Sequence, residues 1–143
     1  PIMSKSILHP QLEKDSLFIA EYQSLQIRLV KDNRFFWLLL IPKRKDIGEW
    51  HELHNTEQQD ISTLTNIFSK AFKSIEKADK INIGALGNMV SQFHFHILAR
   101  HIGDAAWPGP VWGHNAGKKQ DSGLFDTRIG KVLDILKNLN EYQ

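Results

Sequence analysis

The sequence predicts an α+β fold, an antiparallel sheet with helices packed on one face. Three observations point there. Apolar residues alternate or run together between residues 16 and 42, as strands do. An apolar stripe of helical period covers 57–77. Two further strand-like segments then precede a final amphipathic stretch, giving the order β-β-α-β-β-α.

The elements follow along the chain. Leu17-Phe18-Ile19 is a short apolar piece, and Leu25, Ile27 and Leu29 alternate with polar residues as in a half-buried strand. Lys31-Asp32-Asn33-Arg34 is a turn signal, and Phe35 to Ile41 is a continuous apolar run ended by Pro42, the pattern of a buried strand. Two of these strands joined by a short turn make an antiparallel hairpin. Ile61, Leu64, Ile67, Phe68, Ala71, Phe72 and Ile75 keep the three-four spacing of one helix face, with Asn55 or Thr56 as the cap. Ile81 to Ala85 is a short strand, and Phe93 to Arg100 a strong one. Residues 101–123 form a loop rich in Gly, Pro and Trp. Ile129, Val132, Leu133, Leu136 and Leu139 mark a last helix. By periodicity Phe18, Phe35, Phe68 and Phe72 belong to the core.

Composition narrows the function classes. The 143 residues are 41% hydrophobic and 24% charged, which is globular and sized for one domain, 1–143. There is no cysteine, so disulfides, thiolate metal sites and a cysteine nucleophile are excluded. No apolar run approaches the ~20 residues of a membrane helix. No signal-peptide pattern opens the chain, so the expected location is cytoplasmic. The net charge of +2, with Lys43-Arg44-Lys45 as the densest basic cluster, argues against a nucleic-acid polymer or a membrane surface as partner. Seven histidines stand out.

Gln92-Phe93-His94-Phe95-His96-Ile97-Leu98 is the most informative segment. Period two puts Gln92, His94 and His96 on one strand face and Phe93, Phe95 and Ile97 on the core face. Side chains two apart on such a face lie roughly 7 Å apart. Three readings of this face are open. It is a sheet surface without a role; or it is half of a metal site, which needs a third ligand, and His101 and His114 downstream do not continue the strand register; or a neutral imidazole attacks phosphorus while its neighbour steadies the phosphoryl oxygens. His51 and His54, which flank Glu52, read as a solvated helix turn, and His9 as surface. The Trp107-Pro108-Gly109-Pro110-Val111-Trp112-Gly113 segment is a rigid turn or a base-binding wall. Its two indoles are better explained by packing on a subunit or ligand than by exposure. Arg100 and Lys43 read as solvated strand-end cations.

The histidine segment resembles the signature of the histidine triad (HIT) family of nucleotide hydrolases and transferases, His-φ-His-φ-His-φ-φ, with φ apolar. Glutamine stands at the first position here. Other segments are similar in order and spacing: Leu39-Leu40-Ile41-Pro42-Lys43-Arg44 to the family's strand end "LVIPKRH", Asn82, Gly84, Gly87 and Asn88 to the approach to the signature, Leu98-Ala99-Arg100 to its exit, and Trp107-Pro108-Gly109 to a Trp-Pro segment in one branch. Trp37 and Lys45 stand where many members carry histidine.

The resemblance implies a nucleotide substrate cleaved at its α-phosphorus, a nucleoside phosphoramidate or a dinucleoside polyphosphate. It implies His94 as nucleophile, a nucleotidyl-histidine intermediate and His96 on a phosphoryl oxygen, with Gln92 completing the catalytic set. Asn33, Asn82, Gly87, Asn88 and Trp107 become substrate contacts, Asn33 and Asn82 toward ribose or phosphate. No metal and no cofactor are required, and a homodimer is expected. Imidazole titrates near neutrality, so the nucleophilic form is abundant. A nucleotide-binding module without useful turnover, or a metalloprotein using His94 and His96, are the alternative readings.

Overall fold

The computed structural model describes residues 7–143. The elements are α1 (Pro10–Asp15), β1 (Ser16–Tyr22), β2 (Leu25–Val30), β3 (Phe36–Pro42), a 3₁₀ turn Trp50–Glu52, α2 (Asn55–Ile75), β4 (Lys80–Ala85), β5 (Phe95–Arg100), α3 (Ser122–Lys137) and a closing 3₁₀ turn Leu139–Tyr142. The strands form one sheet in the order β1-β2-β3-β5-β4, antiparallel at every pairing. The α+β class with an antiparallel sheet is as the sequence predicts. No helix among the described residues is long and apolar enough to cross a membrane.

The strand count before α2 is three, not two. The short apolar piece at 17–19 extends into β1, which turns back on β2 through Gln23, held at a φ of 51°. A register shift between Phe18 and Ala20 interrupts that pairing. Ile19 is buried there while Phe18 is left exposed, which corrects the core assignment of Phe18.

Both long helices pack on one face of the sheet. Ile27 and Leu29 of β2, Phe36, Leu38 and Leu40 of β3 and Ile97 and Ala99 of β5 meet Ile61, Leu64, Phe68 and Phe72 of α2 and Phe125, Val132 and Ile135 of α3. Each of the larger side chains contributes ~2 kcal/mol by leaving water. α3 buries Phe125, Arg128, Val132 and Ile135, and Ile129, Leu136 and Leu139 pack against the same core, so the expected stripe holds except at Leu133, which is exposed. α2 begins ten residues after the basic cluster, past the 3₁₀ turn Trp50–Glu52. Its cap is His54 rather than Asn55 or Thr56, and the His54 amide donates to Glu57 Oε1 at 2.7 Å. Arg44 closes on the same buried Glu57 with two hydrogen bonds of 2.7 and 2.8 Å, which holds that carboxyl below its ordinary range.

The opposite face of the sheet is covered by shorter pieces. α1 lays Leu12, with Leu8 before it, on Val30, Leu39 and Ile41. The loop over 101–121 lays Val111 on Phe35 and Leu98, which puts Phe35 in a small cluster apart from the helix-side core. β3 is therefore covered on both faces, which is why Phe35 to Ile41 carries no polar residue.

Candidate active site

The histidine pair sits where the 86–94 segment enters β5, on the face away from the long helices. Phe93 anchors the entry: its ring is buried in the helix-side core and its amide donates to the Ile47 carbonyl at 2.7 Å. The strand itself starts at Phe95 rather than Phe93, so His94 lies just outside it. That release from strand geometry lets the two imidazoles converge. Their ring centroids are 4.9 Å apart, inclined at 64°.

His94 is 7% exposed. Its Nδ1 lies 2.7 Å from the carbonyl oxygen of Gln92. A carbonyl only accepts, so the ring proton sits on Nδ1 and the Nε2 lone pair is free. Burial pushes the His94 pKa below its ordinary 6.5, and the Gln92 carbonyl opposes part of that shift. The neutral form therefore predominates at pH 7.

His96 is 4% exposed and opposes Leu39 across β3 and Gly84 across β4. Its Nδ1 receives the Trp37 indole N–H at 3.0 Å and faces the Trp112 indole N–H at 3.4 Å. Its Nε2 lies 3.2 Å from the Leu86 carbonyl. Burial, then the neighbouring His94, push its pKa down to about 4, against the pull of the Leu86 carbonyl.

Gly87 fits this corner because nothing larger does. A Cβ there would meet the Val90 carbonyl oxygen at 2.7 Å and His94 Cε1 at 3.5 Å. Asn88 is exposed beside it. The Gln92 side chain is held by the N-terminal segment: its Oε1 accepts from the His9 amide at 2.7 Å and its Nε2 donates to the Ile7 carbonyl at 2.8 Å. Only its backbone carbonyl meets the histidine pair.

The remaining sequence candidates are engaged elsewhere. Asn33 joins the 119 region through two bonds, its Oδ1 accepting from the Lys119 amide at 2.7 Å and its own amide donating to the Lys119 carbonyl. Asn82 Oδ1 accepts from Arg100 at 2.8 Å. The Trp107 ring lies 5.7 Å from the Arg100 guanidinium. Arg100 is thus no solvated cation. It is 1% exposed, holds Asp104 with two bonds of 2.8 and 2.9 Å, and donates to the Gly109 carbonyl. Lys43 lies 3.5 Å from Glu21.

The two indoles of the 107–113 segment fold onto this chain's own sheet, Trp107 over Arg100 and Trp112 edge-on to His96 with centroids 5.2 Å apart. Among the described residues no group of three His, Cys, Asp or Glu side chains is gathered for a metal ion. His101 reaches the Glu76 carbonyl and His114 the Arg34 guanidinium, so neither joins the pair. His9, His51 and His54 are exposed. The contacts that sequence reasoning missed are Trp37, Trp112 and the Leu86 carbonyl around His96. A signal for Trp37 existed: a tryptophan in an unbroken buried strand needs a partner for its N–H.

A family model described as the HIT domain matches residues 11–103. Solved structures of similar proteins cover nearly the whole chain. A histidine triad (HIT) protein from Sinorhizobium meliloti 1021 is 39% identical, with 89% of this chain and 94% of that one covered and a TM-score of 0.83. A histidine triad protein from Bradyrhizobium japonicum is also 39% identical, covering 94% and 98%, with a TM-score of 0.84. One from Marinobacter aquaeolei VT8 is 34% identical, covering 92% and 96%, with a TM-score of 0.85. No curated protein matches the chain.

Proposed function

The chain belongs to the histidine triad (HIT) family, and from that premise we propose that it is a nucleotide hydrolase acting at the α-phosphorus of a nucleoside phosphoramidate or dinucleoside polyphosphate. The observation that carries this reading is the 2.7 Å contact of His94 Nδ1 with the Gln92 carbonyl, which leaves Nε2 unprotonated and nucleophilic.

Nε2 attacks phosphorus, forming a P–N bond as the bond to the leaving group breaks. The leaving group departs with the electron pair and takes a proton from solvent. The nucleotidyl imidazole keeps its Nδ1 proton and is cationic, and the Gln92 carbonyl dipole faces that charge. Water then attacks phosphorus, loses its proton to solvent and releases a nucleoside monophosphate, and Nε2 regains its lone pair. His96 stands beside His94, their ring centroids 4.9 Å apart. Its hydrogen bond to the Leu86 carbonyl, 3.2 Å, is at the long end of the range, so a phosphoryl oxygen can take the place of that carbonyl. Gly87 and Asn88 line the approach. Asn33 and Asn82 have their Oδ1 atoms engaged, so the substrate roles expected of them fall to their Nδ2 donors, and Trp107 has Arg100 against its ring.

A homodimer is part of the same reading. β4 is a sheet edge, and Ile83, Leu86 and Met89 are exposed along and after it, Met89 at 97%. Sedimentation at micromolar concentration should give a dimer.

The test is release of AMP from adenosine 5′-phosphoramidate and from diadenosine tetraphosphate, with EDTA present, by wild type and by His94→Ala. AMP from wild type alone is expected, with the variant down about 10³-fold or more. Equal activity in the variant removes His94 as nucleophile. A second reading, nucleotide binding without turnover, draws on the Gln92 amide being committed to Ile7 and His9. Calorimetric binding of AMP with no product formed would favour it.

A further inference from the structure

We propose that Trp37 is a positioning residue for the HIT reaction, one that fixes His96 as the Nε2–H tautomer and so supplies the donor that meets the phosphoryl oxygen. This rests on the reading of the histidine pair just given.

The tautomer follows from what each group can donate or accept. An indole N–H only donates, and a carbonyl oxygen only accepts. Trp37 Nε1 lies 3.0 Å from His96 Nδ1, so Nδ1 must be the lone-pair nitrogen. Leu86 O lies 3.2 Å from His96 Nε2, so Nε2 must carry the proton. The two contacts agree on one tautomer. A second indole, that of Trp112, points at the same Nδ1 from 3.4 Å. Two donors facing one nitrogen leave no place for a proton there, so the imidazolium is disfavoured on geometry alone. The titratable group against His96 is His94, 4.9 Å between ring centroids, and it would repel a charged His96 as well.

The two histidines therefore hold opposite tautomers. The Gln92 carbonyl, as acceptor, holds the His94 proton on Nδ1, and the Trp37 indole, by donating to His96 Nδ1, leaves the His96 proton on Nε2. One presents a lone pair and the other a proton, and each is set by a partner of unambiguous sense. A histidine at position 37 could donate or accept and would leave the choice open. β3 places the tryptophan without adjustment. It faces the same side as Leu39, two residues along the strand, which lies directly opposite His96.

The experiment is ¹⁵N NMR of the histidine rings at pH 7, run on wild type, Trp37→Phe, Trp112→Phe and the double variant. Phenylalanine keeps a ring in the site and removes the donor. Wild-type His96 should show an unprotonated Nδ1 and a protonated Nε2. Trp37→Phe should mix the tautomers, Trp112→Phe should leave Nδ1 unprotonated, and the double variant should show the largest mixing. In the AMP-release assay Trp37→Phe should lower kcat about tenfold or more while KM stays within about twofold, because the lost proton acts in the transition state.

A wild-type His96 protonated on Nδ1, or on both nitrogens, overturns the proposal without any variant having to fold. So does a Trp37→Phe protein with unchanged tautomer and unchanged kcat. If wild type releases no AMP from either substrate, the hydrolase reading fails. The ring spectra then still decide whether Trp37 sets the tautomer.

Discussion

The two faces of the sheet are built on different physics. The helix-side face is stabilised by area: Leu38, Leu40 and Ile97 pack on Leu64, Phe68 and Phe72, and no single contact decides its form. The site-side face has only two small apolar clusters and is tied together by specific hydrogen bonds, Trp37 to His96, Gln92 to Ile7 and His9, and Arg100 to Asn82, Asp104 and Gly109. Non-directional packing tolerates rearrangement, whereas a tautomer or a buried cation does not. The main apolar core and the reactive pair thus lie on opposite sides of the same strands.

The largest effect should come from the helix side. Phe68→Ala should lower unfolding free energy by about 3–5 kcal/mol in urea titration, while the activity of the molecules still folded stays near wild type. A turnover loss out of proportion to the unfolded fraction would break the separation of the two faces. Arg100→Met should cost about 3 kcal/mol, because Asp104 and Asn82 lose a buried donor set. It also carries a pH signature. Burial alone would raise the Asp104 carboxyl, but the Arg100 hydrogen bond and the backbone amides of His101 and Ala106 outweigh it and bring it down to about 2. A carboxyl lowered on folding stabilises fully above its ordinary 3.8 and loses that contribution as the pH falls through about 2. Acid titration of stability should show this limb in wild type and lose it in Arg100→Met.

The same division explains what could be read from the sequence. Periodicity reports which residues leave water, so α2, β2, β3, β4 and the class of the fold were legible from the spacing of Ile, Leu and Phe. It failed where a local irregularity intervened, at the bulge that turns Phe18 outward and along α3, where Leu133 is exposed and Ile135 buried. On the site side, the histidines were legible as a motif, but their partners were not. Trp37 is 59 residues from His96 and Gln92 is 83 from His9. Arg100 read as a solvated cation because its partner set is assembled from β4 and a loop, which no local pattern encodes. The short α1 and its cover over Val30 and Leu39 went unread for the same reason: six residues are too few to show a period.

A smaller effect sharpens the site-side account. Burial lowers the His94 pKa below 6.5, and protonation of Nε2 removes the nucleophile. kcat/KM should therefore be flat through pH 7 and fall only below 6.5, about tenfold per unit beyond the turning point. An acid limb centred above pH 7 would mean that another group controls the reaction.

The smallest effect expected is at Gln92, and it separates side chain from backbone. Gln92→Ala removes two hydrogen bonds to Ile7 and His9, worth about 1 kcal/mol each. The Gln92 carbonyl stays in place because Phe93, the next residue, is anchored in the core and bonded to Ile47. His94 then keeps its tautomer, and turnover should change by less than about threefold while the melting temperature falls by a few degrees. A loss of turnover near that of His94→Ala would mean that the amide itself swings onto the phosphate. The bonds to the N-terminal segment would then be the resting arrangement of a working catalytic group.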